Sequence, residues 1–167
     1  MRQSARLGMA LFLLNEAVFF FMLISAFVYF RASSLPAAAA NLKPGVTAIY
    51  TVCLLASSIT VWRATAQGNR AWTCATLALG AVFLFGQGSE YLRLFQQNIT
   101  VSQGLFGSTF FTLTGLHALH VLIGLVLLVV LLATQNTLSP PSIALYWYFV
   151  DAVWLVIFSV VYLWAFL

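Results

Sequence analysis

Residues Gly104–Gly124 read GLFGSTFFTLTGLHALHVLIG and carry the only two histidines of the chain, His117 and His120. They lie inside an apolar run that continues to about Ala133. At 1.5 Å per residue, a helix over 104–133 would be about 45 Å long, enough to cross a bilayer and protrude. Histidines three apart lie on one helix face. Titratable groups are costly against lipid, so that face should look on protein or water, and other helices should pack against it.

The composition around this stretch fixes the class. Of 167 residues, 63% are hydrophobic and 6% charged. No water-soluble domain of this size could hide so much apolar surface, so lipid must solvate much of it. The net charge of +4 comes from basic residues scattered singly between apolar spans, which is not a nucleic-acid signature.

Working outward, four more spans emerge. Arg2 and Arg6 precede an apolar run over about 9–30. It begins like a signal peptide, but it is longer than a signal core, contains Glu16 and meets no convincing cleavage site, so it reads as a first transmembrane helix. SSLPAAAANLKPG, with Pro36, Pro44 and Gly45, is a loop. The next spans are about 46–64 and 71–92, separated by a short turn at Gly68–Arg70, and a loop is expected over 93–103. After the histidine-bearing span, 104–133, the sequence QNTLSPPS breaks the chain at Pro140–Pro141, and the last span is about 143–166. The expectation is an all-α, five-helix transmembrane bundle forming a single membrane domain over 1–167. An odd number of spans puts the termini on opposite sides. With the N-terminus in the cytoplasm, Arg2, Arg6, Arg63 and Arg70 are inside and Arg31, Lys43 and Arg93 outside, a slight positive-inside bias. Aromatic pairs near helix ends, Tyr146–Trp147 and Tyr162–Trp164, suit interfacial anchoring.

The three acids are the informative charges. Glu16, Glu90 and Asp151 all fall within or at the end of a span, where an acid must have internal partners or a proton-related role. Glu16, beside Asn15, reads either as a neutral carboxyl hydrogen-bonded to another helix or as a proton-responsive group. Glu90 has Arg93 at i+3, so an ion pair within the helix is available. Asp151 shares a face with Trp147, Tyr148 and Trp154, whose N–H or O–H groups could donate to it, as could His117 or His120 across a helix pair. Two histidines on one helix face cannot supply opposed axial haem ligands, and copper or zinc would want more nitrogen or sulfur ligands than lie nearby. The expectation is interhelical hydrogen bonding with no catalytic, cofactor or metal site in this chain. Cys53, expected near mid-depth, and Cys74, expected near the cytoplasmic end, lie in different spans and should not pair. Gly80, Gly86, Gly88, Gly107, Gly115 and Ala118 would let helices approach closely.

The order of motifs resembles subunit III of the haem–copper oxidases over nearly the whole chain. Asn15–Glu16 followed by AVFFF, LLASSIT at 54–60, GSEY at 88–91, GSTFF with HALHV, and YWYFVDAVW are each similar to family segments. Two departures stand out. The family often has seven helices, with phospholipid in a cleft between the first pair and the other five, and this chain has the pattern of the five-helix bacterial members. The family usually has histidine where this chain has Tyr148. The resemblance implies an accessory subunit with no redox metal of its own. Haems and copper would reside in partner subunits, subunit I would be contacted directly, and a phospholipid would be compatible. It also implies support of sustained turnover, proton uptake and oxygen entry, in a proton-pumping terminal oxidase of a bacterial plasma membrane. The subunit-III-like partner of nitric oxide reductase shares HALHV and the VDxVW pattern and is the alternative within the superfamily. A small self-sufficient transporter is the alternative from another class, although neither inverted repeats nor broken helices are visible.

Overall fold

A computed structural model describes residues 2–31, 42–102, 104–134 and 140–163. Five helices account for almost all of them: α1 Arg2–Arg31, α2 Pro44–Gln67, α3 Arg70–Gln96, α4 Leu105–Thr134 and α5 Pro140–Phe158. A wider π-type turn, Ser159–Leu163, carries α5 onward. All five are long and apolar enough to span a membrane.

The helices pack as a ring in the order α1, α4, α3, α2, α5 and back to α1, with α4 and α5 also touching across it. Helix α5 is the inner member: half of its most apolar window is buried, against 17% for α1, which lies at the edge. The core is aromatic. Phe83, Phe110, Trp147, Trp154 and Tyr162 are fully buried, and Leu54 and Leu113 fill between them. Bilayer lipid supplies no hydrophobic drive between helices, so the contact must come from shape and internal polar bonds.

Shape matters most where glycines meet aromatic rings. The Trp147 indole is wedged between α3 and α4. A methyl group on Gly80 or on Gly124 would lie 2.9 Å from it. A methyl on Gly86 would overlap the ring of Tyr50, and one on Gly107 would overlap the carbonyl of Thr100. Gly88, expected among the packing glycines, instead faces open space. It sits two residues round the helix from Gly86, on the side turned away from α2.

The spans match expectation in number and order, and differ at their ends for identifiable reasons. The α2–α3 turn is the two residues Gly68 and Asn69. Gly68 takes the left-handed conformation at φ 63° and its N–H reaches the Ala64 carbonyl, while the Asn69 side chain caps α3 by accepting from Ala71 N–H at 2.9 Å. The Arg63 guanidinium lies 4.8 Å from the centre of the Trp72 ring across this turn. Helix α3 does not stop at 92 but continues to Gln96, because Leu94 is fully buried and Arg93 folds back on Glu90. It ends where Asn98 turns to φ 59°. Pro140 and Pro141 open α5 rather than precede it, since the first turn of a helix needs no N–H from either residue. Of the loop over 31–45, only its two ends are among the described residues. Of the expected interfacial anchors, Tyr146, Trp147 and Tyr162 are instead buried within the bundle, where their rings pack between helices, and Trp164, with the end of the last span, lies outside the described residues.

Gly86→Ala and Gly124→Ala should each lower the stability of the bundle by about 1–3 kcal/mol, the usual cost of overpacking. Gly88→Ala should leave it unchanged or slightly raised. Thermal loss of helical circular dichroism in detergent reads all three.

Candidate functional site: three intramembrane polar clusters

The chain's acids and histidines do not converge on one site. They are distributed over three places in the bundle, each held by a different pair or trio of helices.

The first place is the end of the bundle where α2 begins and α3 and α5 finish. Glu90 is 7% exposed there. Its Oε2 accepts from Thr47 Oγ1 of α2 at 3.0 Å and from the Tyr162 hydroxyl of the π-type turn at 2.7 Å, and its Oε1 faces Arg93 Nη2 at 3.1 Å. The i+3 pair expected from sequence is therefore present, but it is one of three bonds on a carboxylate that joins α2, α3 and the end of α5. The wider turn at 159–163 is what carries Tyr162 to Glu90 with Trp154 still facing the core.

The second place is deeper, between α2 and α5. Asp151 is 3% exposed and accepts from the Ser58 hydroxyl. Its expected aromatic donors point elsewhere on the same helix. Trp147 Nε1 donates to Ser57 Oγ at 2.8 Å and Trp154 Nε1 to Thr51 Oγ1 at 3.0 Å. Residues 147, 151 and 154 share one face of α5, and residues 51, 57 and 58 of α2 meet them rung by rung. On the other side of α2, Thr60 and Thr76 bring hydroxyls within 2.8 Å, tying it to α3. The histidines do not reach Asp151 either. His117 is fully buried, stacked on Trp154 with ring centres 4.8 Å apart and met edge-on by Phe83 at 5.9 Å. Neither of its ring nitrogens has a partner among the described residues, nor does Asp151 Oδ1.

The third place joins α1 to α4. His120 Nε2 lies 3.1 Å from Glu16 Oε2, and its Nδ1 lies 2.7 Å from the Leu116 carbonyl. A carbonyl can only accept, so Nδ1 must carry a proton. The contact on the other side of the ring then holds one proton between Nε2 and the carboxyl oxygen: either imidazolium donates to carboxylate, or a neutral carboxyl donates to imidazole. The Tyr146 hydroxyl donates to the His120 carbonyl at 3.0 Å, and Phe20 meets the imidazole edge-on. This pair is less buried than Glu90 and Asp151. Glu16 and His120 keep 18% and 12% side-chain exposure and, with Asn15, Phe19 and Met22, line a lateral groove of about 480 Å³. His117 and His120, expected to look on one neighbour, in fact look on two, because a spacing of three leaves them about 60° apart round the helix.

The hydroxyl partners, Thr47, Thr51, Ser57, Ser58 and Tyr162, were not expected from the sequence. Their signal was present as a threonine and serine ladder on α2 at positions 47, 51, 57, 58 and 60. Such residues are common in apolar helices as bonds to their own backbone, which is also how Thr51 and Thr60 use their hydrogens here. Among the described residues no three His, Cys, Asp or Glu side chains are grouped so as to hold a metal ion, and Cys53 and Cys74 are both free.

Fold and clusters together define a multi-pass membrane protein, a helical bundle whose ionisable groups serve one another and their neighbouring helices. The sequence matches the family model for cytochrome c oxidase subunit III over residues 1–166, and the chain belongs to that family. It is 34% identical to cytochrome c oxidase subunit 3 of Corynebacterium diphtheriae, over 93% of this chain and 85% of that one. Against the probable cytochrome c oxidase subunit 3 of Mycobacterium leprae the identity is again 34%, with the same coverage. It is also 34% identical to cytochrome c oxidase subunit 3 of Papio hamadryas, over 98% of this chain and 71% of that one. Membership makes it an accessory subunit of a respiratory oxidase, in complex with the other oxidase subunits.

Tyr162→Phe removes one of the three bonds to Glu90 without changing shape. Interhelical hydrogen bonds in membranes contribute about 0.6 kcal/mol on average and about 1.7 at most, so the variant should lose about 1 kcal/mol. Thr47→Val should lose a similar amount. The double variant should lose less than the sum of the two, since both donors serve Glu90 Oε2. Denaturation in mixed micelles checks the three values.

Proposed function

We propose that the chain is a non-catalytic subunit that packs directly on the haem- and copper-bearing subunit I of a proton-pumping oxidase and supports its proton uptake and oxygen access. It would lie in a bacterial plasma membrane with its N-terminus in the cytoplasm. Haems and copper would belong to the partner subunits and none to this chain.

The observation that carries the functional part is the Glu16–His120 pair. Two of the three acids, Glu90 and Asp151, are buried and their bonds join helices, which suits structure. Glu16 alone shares a proton with an imidazole at the mouth of a groove. A group that can accept or release a proton at membrane depth is useful only where proton or solvent can reach it. That this pair ties α4 to α1, the least covered helix, also supports the reading that α1 and its groove face the larger subunit. Helix–helix association of this kind would complete the burial of Glu16 and would place an exchangeable proton beside the partner.

Substituting Glu16 by Ala, or by Gln, should leave assembly of the oxidase complex largely intact, because no described hydrogen bond of the α2–α3–α5 clusters involves it. Both variants should lose activity faster than wild type during continuous turnover, at an unchanged initial rate. Loss of activity is followed as oxygen uptake by the purified complex. A normal turnover lifetime in both variants would count against a proton-related role for the pair.

A further inference from the structure

A cavity of about 270 Å³ lies at the end of the bundle opposite the Glu90 cluster, where α2 and α4 end and α3 and α5 begin. Its volume falls just below the range of about 300–1,000 Å³ usual for small-molecule pockets. The walls are of two kinds. Val61 of α2, Leu128, Leu131 and Leu132 of α4 and Ile143 of α5 make the apolar part. Asn69 and Arg70 at the α2–α3 turn, and Thr73 one turn into α3, make a polar part.

Thr73 is the residue that points to a ligand. It is 6% exposed, and its hydroxyl makes no hydrogen bond among the described residues. Thr51, Thr60, Thr65 and Thr76 each return their hydroxyl to a carbonyl three or four residues back along the helix. Thr73 does not, and a hydroxyl so deeply placed is expensive to leave unpaired. It can still be reached. The unpartnered hydroxyl of Ser142 is sealed from the surface, whereas that of Thr73 is not and the residue borders the cavity.

The surroundings favour a negative partner. The Asn69 side chain caps the Ala71 N–H alone, and α3 has no acidic residue in its first turn to answer its positive end. Arg70, exposed at the rim, forms no ion pair among the described residues, while the other cation of this turn, Arg63, lies over the Trp72 ring. No carboxylate among the described residues borders the cavity. A free hydroxyl, a helix N-terminus and an unpaired guanidinium all suit an anion. The aliphatic wall beside them suits a hydrocarbon chain, and the turn lies where a helix leaves the bilayer and a chain meets its head. One cation and a cavity of this size match one carboxylate and the start of one chain, rather than a glycerol backbone carrying two.

We propose that this cavity binds the carboxylate end of a free fatty acid, with the Thr73 hydroxyl and Arg70 as its donors and the α4 leucines against its chain. The site shares no residue with the Glu16 groove or with the bonds of the Glu90 cluster.

The test uses the purified full-length chain in a detergent with an uncharged head, with native mass spectrometry after addition of palmitate, hexadecanol or phosphatidylglycerol. Thr73→Val, Thr73→Ser, Arg70→Gln and Arg70→Lys are measured beside wild type. Palmitate should add once per chain and saturate. Loss of a hydrogen bond to a charged group should weaken it about tenfold in Thr73→Val. Loss of a cation at the membrane surface should weaken it about fivefold in Arg70→Gln. Thr73→Ser and Arg70→Lys should retain binding, and hexadecanol, which has the chain without the charge, should bind at least about tenfold more weakly than palmitate. Neither Thr73→Val nor Arg70→Gln removes a side-chain bond seen among the described residues, so both should keep wild-type helical content. Palmitate binding that fails to saturate, that is unchanged in Thr73→Val, or that hexadecanol equals would overturn the proposal. So would phosphatidylglycerol that shows the same dependence and displaces palmitate, because the occupant would then be a phospholipid.

Discussion

A carboxyl group inside a membrane span has to find its donors within the protein, and Glu90 shows what that constraint does to the rest of the chain. Its three bonds come from α2, from the turn that extends α5 and from its own helix. To supply them, the start of α2 and the end of α3 must lie level in an antiparallel pair, and α5 must widen its last turn. Once these are fixed, the other rungs between α2 and α5 fall into register. Thr51 meets Trp154, Ser57 meets Trp147 and Ser58 meets Asp151. Each of these bonds is individually modest in a membrane. Their value lies in specifying one arrangement among the many that apolar helices with almost uniform surfaces could adopt.

The number and order of the helices were legible because apolar run length is a direct reading of bilayer thickness. Their ends were less so. Leu94 is apolar enough to be buried and extends α3, yet in the sequence LRLFQQN it is indistinguishable from a loop residue. Pro140 and Pro141 mark a boundary correctly without saying on which side of it they lie. Within the polar set, the Glu90–Arg93 pair followed from spacing along one helix. The partners of Asp151 did not. Indole and imidazole donors close to it in sequence or by reputation were the natural expectation, but Trp147 and Trp154 spend their N–H groups on α2 hydroxyls, and the aspartate is left to Ser58. Contacts between residues some ninety positions apart leave no local trace, and serine and threonine are too common in apolar helices to announce them.

The same physics separates the acids by role. Glu90 and Asp151 are the more deeply buried, and their bonds join helices. Glu16 is different because its partner His120 has one nitrogen committed to the Leu116 carbonyl, which confines the remaining proton to a single bond between ring and carboxyl. That bond opens on a groove along the least covered helix. Membership of the cytochrome c oxidase subunit III family gives this asymmetry a context: a bundle whose core is locked by polar rungs can present one proton-bearing pair at its edge without loosening the rest.

The measurement that tests this account most directly is isolation of the chain from its membrane in mild detergent, with a reduced-minus-oxidised spectrum and mass spectrometry of whatever accompanies it. The account predicts haem bands, a large polytopic partner subunit and oxygen-reducing activity in the same fraction. A haem-free chain, alone or as a homo-oligomer, would contradict it.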